Sequence, residues 1–175
     1  GDTTDDLIEK AREISANPSR REMDMLLSTG EQISVALMAM AIHELGYPAV
    51  SLNAEQVGID TTAAYSNARI KNVRSQRLEQ ELARNNIVIV TGFQGINKYD
   101  DVTTLGRGGS DTTAVALAGA LGADKCQIFT DVDGIYDRDP RWFPDARKFD
   151  RIGYEEMLRL VRQGAQVLHE RSVKL

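Results

Sequence analysis

Residues 87–93 read Ile-Val-Ile-Val-Thr-Gly-Phe. A run this rich in β-branched residues, with no polar alternation before Thr91, predicts a strand buried on both faces, the habit of parallel sheets covered by helices. Downstream, Ser110 to Leu121 is Ala-rich and closes on Gly122, which reads as a helix with a glycine stop. The connection between them, Gln94 to Gly109, is far longer than the ~2–6 residues usual in α/β units, and a loop of that length is either functional or disordered. Working outward, Thr4 is a candidate N-cap, with Asp5 and Asp6 in the first turn of a helix to about Ser15. Helices are predicted over Arg20 to Leu27 and Glu31 to Leu45, the latter closed by Gly46, and over Gln76 to Arg84 and Tyr154 to Arg162. Ala49–Leu52 and Gln127–Thr130 read as further short strands. Strands separated by helices predict a three-layer αβα sandwich with a mostly parallel sheet.

Composition agrees with one globular unit. The chain has 175 residues, 42% hydrophobic and 27% charged, a length and mixture suited to one domain spanning residues 1–175. Its net charge of −5 and pI near 5.1 disfavour a nucleic-acid partner. No stretch approaches the ~20 apolar residues of a membrane span, so no membrane partner is expected. Cys126 is the single cysteine and lies in an apolar run, so it reads as a small buried hydrophobe in a reducing compartment, the cytoplasm. Met23, Met25, Met38 and Met40 read as core filling. The ends, Gly1-Asp2-Thr3-Thr4 without an initiator Met and a C-terminal Leu175 without a cap, read as cuts within a longer protein.

Two loops lie where ligands bind in open α/β sheets, beyond the carboxyl ends of strands. The first ends in Gly106-Arg107-Gly108-Gly109-Ser110-Asp111. Its glycines let backbone N–H groups approach a ligand, the helix start adds a positive dipole end, and Arg107 offers a planar fork for a carboxylate or phosphate. The same residues also fit a flexible turn with Ser110 as N-cap. The spacing is that of neither a P-loop nor a dinucleotide fingerprint. The second loop, Asp131 to Arg141, mixes Asp131, Tyr136, Arg138 and Arg141, a set suited to a nucleotide or to a turn held by local ion pairs. Pro140 stands where an EF-hand needs its Glu, so Asp131-Val-Asp-Gly is not a calcium loop. Ser28-Thr29-Gly30-Glu31 has capping-box spacing. His43 and His169 lack partners spaced for a metal, and no nucleophile elbow is present.

Several segments together resemble the aspartokinases of the amino acid kinase family: Arg21 to Glu31, Ser66-Asn-Ala-Arg-Ile70, Gly92-Phe-Gln-Gly95, Thr103 to Thr113, Thr130 to Tyr136, Asp139-Pro-Arg141 and Gly164 to His169. They span nearly the whole chain in order. The resemblance implies transfer of the ATP γ-phosphoryl group to the β-carboxylate of L-aspartate, opening the route to lysine, threonine and methionine. It implies that Arg107 grips the substrate α-carboxylate, that Glu31 pairs with the ammonium, and that Thr4, Gly108, Gly109 and Ser110 line the substrate. Asp111 stands for the family's active-site aspartate. ATP falls to Thr130, Asp131, Tyr136, Asp137, Arg138, Asp139, Pro140 and Arg141, with Mg2+ carried mainly by the nucleotide phosphates and no protein metal site. The parent protein is expected to be a homo-oligomer. The family's first strand, bearing Lys-Phe-Gly-Gly, and its regulatory ACT domains are not found in this sequence; Gln166 replaces a lysine of some members and Glu170 a frequent proline. These departures imply a catalytic-domain fragment, weak or inactive alone. The alternatives are another small-molecule kinase of the family, such as a glutamate-type enzyme, and a non-catalytic dimerisation module.

Overall fold

A computed structural model describes residues 2–130, 132–162 and 170–174. Asp131, Gln166 and the Gly164 to His169 segment therefore lie outside the described residues. Helix α1 (Asp2–Ile14) packs on α2 (Arg20–Glu44), followed by β1 (Ala49–Leu52), α3 (Ala54–Val57), β2 (Ile59–Thr61) and β3 (Ile70–Val73). Next come α4 (Gln76–Ala83), β4 (Ile87–Val90), β5 (Gln94–Ile96), β6 (Val102–Thr104), α5 (Gly109–Leu121), α6 (Tyr154–Arg162) and α7 (Glu170–Lys174).

The class is α/β, with parallel and mixed sheets. β1 and β4 form a parallel pair, register Ala49 to Ile87 through Leu52 to Val90. The second sheet runs β3-β2-β5-β6, parallel between β2 and β5 and antiparallel at its two outer pairs. α2 packs across β1, β4 and β6, while α4 packs on β4 and α5 on β3 and β5. The core is Leu52, Ala54, Val57, Ile59 and Leu78, with Val88, Val90, Leu117 and Leu121 against it. Burying such side chains supplies the main drive for folding. Gly58 and Gly122 end α3 and α5 in the left-handed region that glycine enters without penalty.

Several sequence expectations change. The two helices predicted over Arg20 to Leu27 and Glu31 to Leu45 are one, so Ser28 caps nothing. Its hydroxyl donates to Met25 O at 2.8 Å and that of Thr29 to Leu26 O at 2.7 Å, so both stay inside the helix. Thr4 lies within α1 rather than capping it. The Gln94 to Gly109 loop contains the β5–β6 hairpin. Gln127–Thr130 is not a strand: it finds no neighbouring ladder, and Phe129 is 90% exposed. Cys126 is exposed, as are Met25, Met38 and Met40, so they do not fill the core. By length and composition α2 is also apolar enough to cross a membrane, with a window of mean hydropathy 1.4, which corrects the expectation of no such segment. One of its sides packs on α1 and the strands.

Candidate active site

The turn after β4 is the centre of the arrangement. Thr91 continues from the strand, its N–H donating to Leu52 O at 3.0 Å. At Gly92 a Cβ would stand 3.0 Å from Ser110 Oγ and 3.2 Å from Ser110 Cα, so the start of α5 presses directly on the turn. Phe93 has φ +69°, unusual for a non-glycine residue. It is held by its N–H to Thr113 Oγ1 at 3.1 Å, and its carbonyl accepts from Leu105 N at 2.9 Å. A Cβ on Gly109 would meet Phe93 Cδ2 at 2.9 Å and Leu105 Cβ at 3.0 Å. Glycine is needed there for room. Buried Gln94 then donates from Nε2 to Ser28 O, 3.1 Å away in the middle of α2. One short turn thus joins the start of α5 to the turn of α2 that carries Glu31.

The glycine loop follows the same logic. Gly106 and Gly108 have φ +78° and +67°. Gly108, not Ser110, occupies the N-cap of α5, and no side chain caps the helix. Gly109 N donates to Gly106 O at 3.1 Å, and among the described residues the N–H groups of Ser110 and Asp111 find no acceptor, which leaves them for a ligand beside the positive end of the helix dipole. Arg107 is exposed and Asp111 half-buried in the first turn; among the described residues neither forms an ion pair. Across the Gly92–Gln94 turn, Glu31 is half-buried, and burial pushes its carboxyl above the ordinary glutamate range. It too lacks an ion-pair partner among the described residues. Thr4 lies on α1, where a Cβ on Gly30 would come within 3.5 Å of neighbouring Thr3 Cγ2. The structure therefore brings Thr4 and Glu31 into adjoining helices, and Arg107, Gly108, Gly109, Ser110 and Asp111 together where the glycine loop enters α5.

Sequence reasoning passed over Asp24, Ser66 and Thr104. Asp24 is fully buried in α2, and its carboxylate accepts from the backbone N–H groups of both Ser66 and Thr104. Nearby, Arg21 pairs with Asp101 at 2.7 Å, and Tyr65 donates to the same carboxylate at 2.8 Å. Those two bonds hold the Asp101 carboxyl below its usual range, that of Tyr65 acting most strongly. The signal available was an acid spaced among the apolar residues of a helix, a placement that demands partners.

The second loop is built differently. Arg141 pairs with Asp139 at 2.8 Å, Arg138 with Asp145 at 3.1 Å, and Tyr136 donates to Asp133 at 2.9 Å, while Asp137 accepts from Arg147 N at 2.8 Å. Each bond closes within residues 133–148. The Arg141 guanidinium holds the Asp139 carboxyl low, and the Tyr136 hydroxyl and Lys148 do the same for Asp133. Thr130 and Pro140 are exposed. Tyr136, Asp137, Arg138, Asp139 and Arg141 are thus brought together, but among the described residues no bond links them to the glycine loop. Among the described residues no cluster of three His, Cys, Asp or Glu side chains could hold a metal.

A family model described as the amino acid kinase family matches residues 1–175. The chain belongs to the amino acid kinase family. Within it, the chain is 57% identical over 174 residues to an aspartokinase of Geobacillus stearothermophilus, covering 99% of this chain and 43% of that protein. It is also similar to aspartate kinase from Synechocystis (TM-score 0.84, 49% identity, 99% of this chain and 28% of that one). A structure of E. coli aspartokinase III in complex with aspartate and ADP matches with TM-score 0.85 and 32% identity, over 97% of this chain and 38% of that one. The chain therefore spans less than half the length of these amino acid kinase relatives.

Proposed function

We propose that this chain carries the catalytic site of an aspartate kinase, which transfers the γ-phosphoryl group of ATP to the β-carboxylate of L-aspartate. The observation that carries the reading is the set of ionic side chains without an ion-pair partner around the β4–α5 turn. Arg107 and an uncapped helix start lie on one side, and half-buried Glu31 on the other. An α-amino acid presents the complementary pair, a carboxylate for Arg107 with the N–H groups of Gly108 and Ser110, and an ammonium for Glu31. Thr4 and the Ser110 hydroxyl are assigned to line the substrate beside them. The similarity to a kinase solved with aspartate and ADP supports the same assignment.

The chemistry asks little of the protein beyond positioning. A β-carboxylate is ionised at neutral pH, so no general base is required. One of its oxygens attacks the γ-phosphorus, the bond from that phosphorus to the bridging oxygen breaks, and ADP departs, leaving 4-phospho-L-aspartate. Such transfers depend on alignment and neutralisation of phosphate charge. Asp111 is assigned next to the reacting groups. Mg2+ enters with ATP as part of the substrate. The nucleotide falls to Thr130, Asp131 and the Tyr136 to Arg141 stretch. The fit there requires Arg138 and Arg141 to exchange aspartate partners for phosphates, and exposed ion pairs are weak enough in water to permit it. The product is an acyl phosphate, suited to reduction on the way to lysine, threonine and methionine.

The test is calorimetric titration of the full-length polypeptide carrying this chain with L-aspartate and L-glutamate, alongside trapping of the acyl phosphate by hydroxylamine. L-Aspartate is expected to bind and to give hydroxamate, and L-glutamate to do neither. Arg107→Ala is expected to weaken aspartate binding about 10- to 100-fold, the ~1.5–3 kcal/mol of a charge-assisted hydrogen bond. Equal binding of the two amino acids, or indifference to Arg107→Ala, would overturn the assignment.

A further inference from the structure

Asp24 is 0% exposed, yet no cation among the described residues pairs with it. A buried carboxylate is tolerated only when its oxygens are well supplied with donors. Here Oδ2 accepts from Ser66 N at 2.8 Å and Thr104 N at 2.9 Å. Oδ1 accepts from Thr104 Oγ1 at 2.8 Å, Ser66 N at 3.0 Å and Ser66 Oγ at 3.2 Å. One side chain on α2 therefore fixes two backbone positions 42 and 80 residues away in sequence.

Both positions are the footings of the glycine loop. Thr104 ends β6, two residues before Gly106. Ser66 has φ +65°, a left-handed conformation that costs a non-glycine residue of order 1–3 kcal/mol and persists only when its surroundings enforce it. The two segments are tied again by Ala68 N to Thr104 O at 2.9 Å. A Cβ on Gly106 would stand 3.2 Å from Ser66 O, so the Ser66 carbonyl forms the wall against which the loop turns. Among the described residues Asp24 makes no bond to the Tyr136 to Arg141 stretch.

We propose that Asp24 is a positioning residue for the amino-acid half of the site: by locking Ser66 and Thr104 it sets where the Gly106–Gly109 loop, and with it Arg107, meets the substrate carboxylate. This rests on the aspartate-kinase reading above. Asp24→Asn keeps shape and removes charge. Its amide oxygen can still accept from the two backbone N–H groups while its NH2 donates to the two hydroxyls, which rotate to accept.

The experiment measures steady-state kinetics of the full-length polypeptide carrying Asp24→Asn or Thr104→Val, with the wild type in parallel and a thermal melt of each. A displacement of an ångström in a substrate-positioning group costs up to about a hundredfold, so a partial loosening in Asp24→Asn is expected to raise the KM for L-aspartate about tenfold. The KM for ATP should stay within about twofold, since the lock does not touch that loop. Thr104→Val, which removes one hydroxyl donor and keeps the amide, is expected to move only the aspartate KM, by about threefold. Equal change in both KM values, or none in either, in a folded variant would overturn the role, because a purely structural contact would not discriminate between substrates. Should Asp24→Asn fail to fold, Thr104→Val decides alone. A wild type that phosphorylates no L-aspartate overturns the aspartate-kinase reading itself; an active wild type with no KM split overturns only the role of Asp24.

Discussion

The turn around Gly92 to Gly109 and the loop at residues 133–148 both carry arginines and carboxylates, and they hold them in opposite ways. In the first, the backbone is fixed and the charges are left over. Phe93, Gly109, Gln94 and Ser28 are locked by contacts near 3 Å, while Arg107, Asp111 and Glu31 find no ion-pair partner among the described residues. In the second, Arg141 with Asp139 and Arg138 with Asp145 neutralise each other at the surface. Preorganised groups aimed at a ligand need no rearrangement on binding, whereas paired groups must give up one partner for another. The amino-acid half of the proposed site is therefore built in advance, and the nucleotide half is exchangeable.

The largest effect should come from breaking the fixed backbone. Gly109→Ala places a Cβ 2.9 Å from Phe93 Cδ2 and 3.2 Å from Phe93 Cα. The ring can rotate, but the backbone atom can only shift. Overpacking of this kind costs about 1–3 kcal/mol, seen as a drop in the thermal midpoint, with aspartate binding lost alongside. An unchanged midpoint with unchanged binding would mean that the turn is looser than its contacts indicate.

Glu31→Gln should produce two signals of opposite sign. Burial raises the Glu31 carboxyl, so in the folded state the charged form is disfavoured. For a carboxyl whose folded pKa exceeds its unfolded value, stability is greatest below the unfolded pKa and falls as pH rises through the folded one. Removing the charge should thus raise the midpoint at pH 7 by about 1–3 °C and flatten its dependence on pH. Aspartate affinity should meanwhile fall about tenfold, through loss of a charge-assisted bond to the ammonium. A lower midpoint would show that Glu31 is already paired in the resting protein.

Much of this was legible in sequence, and the failures share a cause. α6 appears at the predicted residues, and Gly122 closes α5 as expected, because each depends on neighbours within a turn. The glycine loop and Arg107 could be singled out because glycine spacing before a helix has a local meaning. What failed depends on distant partners. Ser28-Thr29-Gly30 looks like a helix start, but Gln94 bonds to the Ser28 carbonyl and the hydroxyls bond backward, so α2 runs through. The β5–β6 hairpin turns on Asn97, whose Oδ1 accepts from Tyr99 N and Asp101 N at 2.8 and 3.2 Å, a side-chain turn signal masked by the short strands around it. Asp24, an acid among apolar helix residues, signals only that partners are needed; which they are was not legible, because Ser66 and Thr104 lie 42 and 80 residues along the chain.

The smallest effect, and the one that tests the exchangeable half, belongs to Arg141. Its side chain is 80% exposed and, among the described residues, its bonds run only to Asp139. Arg141→Ala should leave the thermal midpoint within about 1 °C, as surface substitutions usually do. If the arginine releases Asp139 to meet phosphate, the KM for ATP should rise about three- to fivefold, the lower end of a charge-assisted bond at an exposed site. The increment should shrink as salt is raised from 0.05 to roughly 0.5 M, because screening weakens both the old pair and the new contact. The KM for L-aspartate should not move. A shift in both constants would mean that the two halves are coupled more tightly than their separate hydrogen-bond networks suggest, and the contrast between a fixed and an exchangeable half would have to be abandoned.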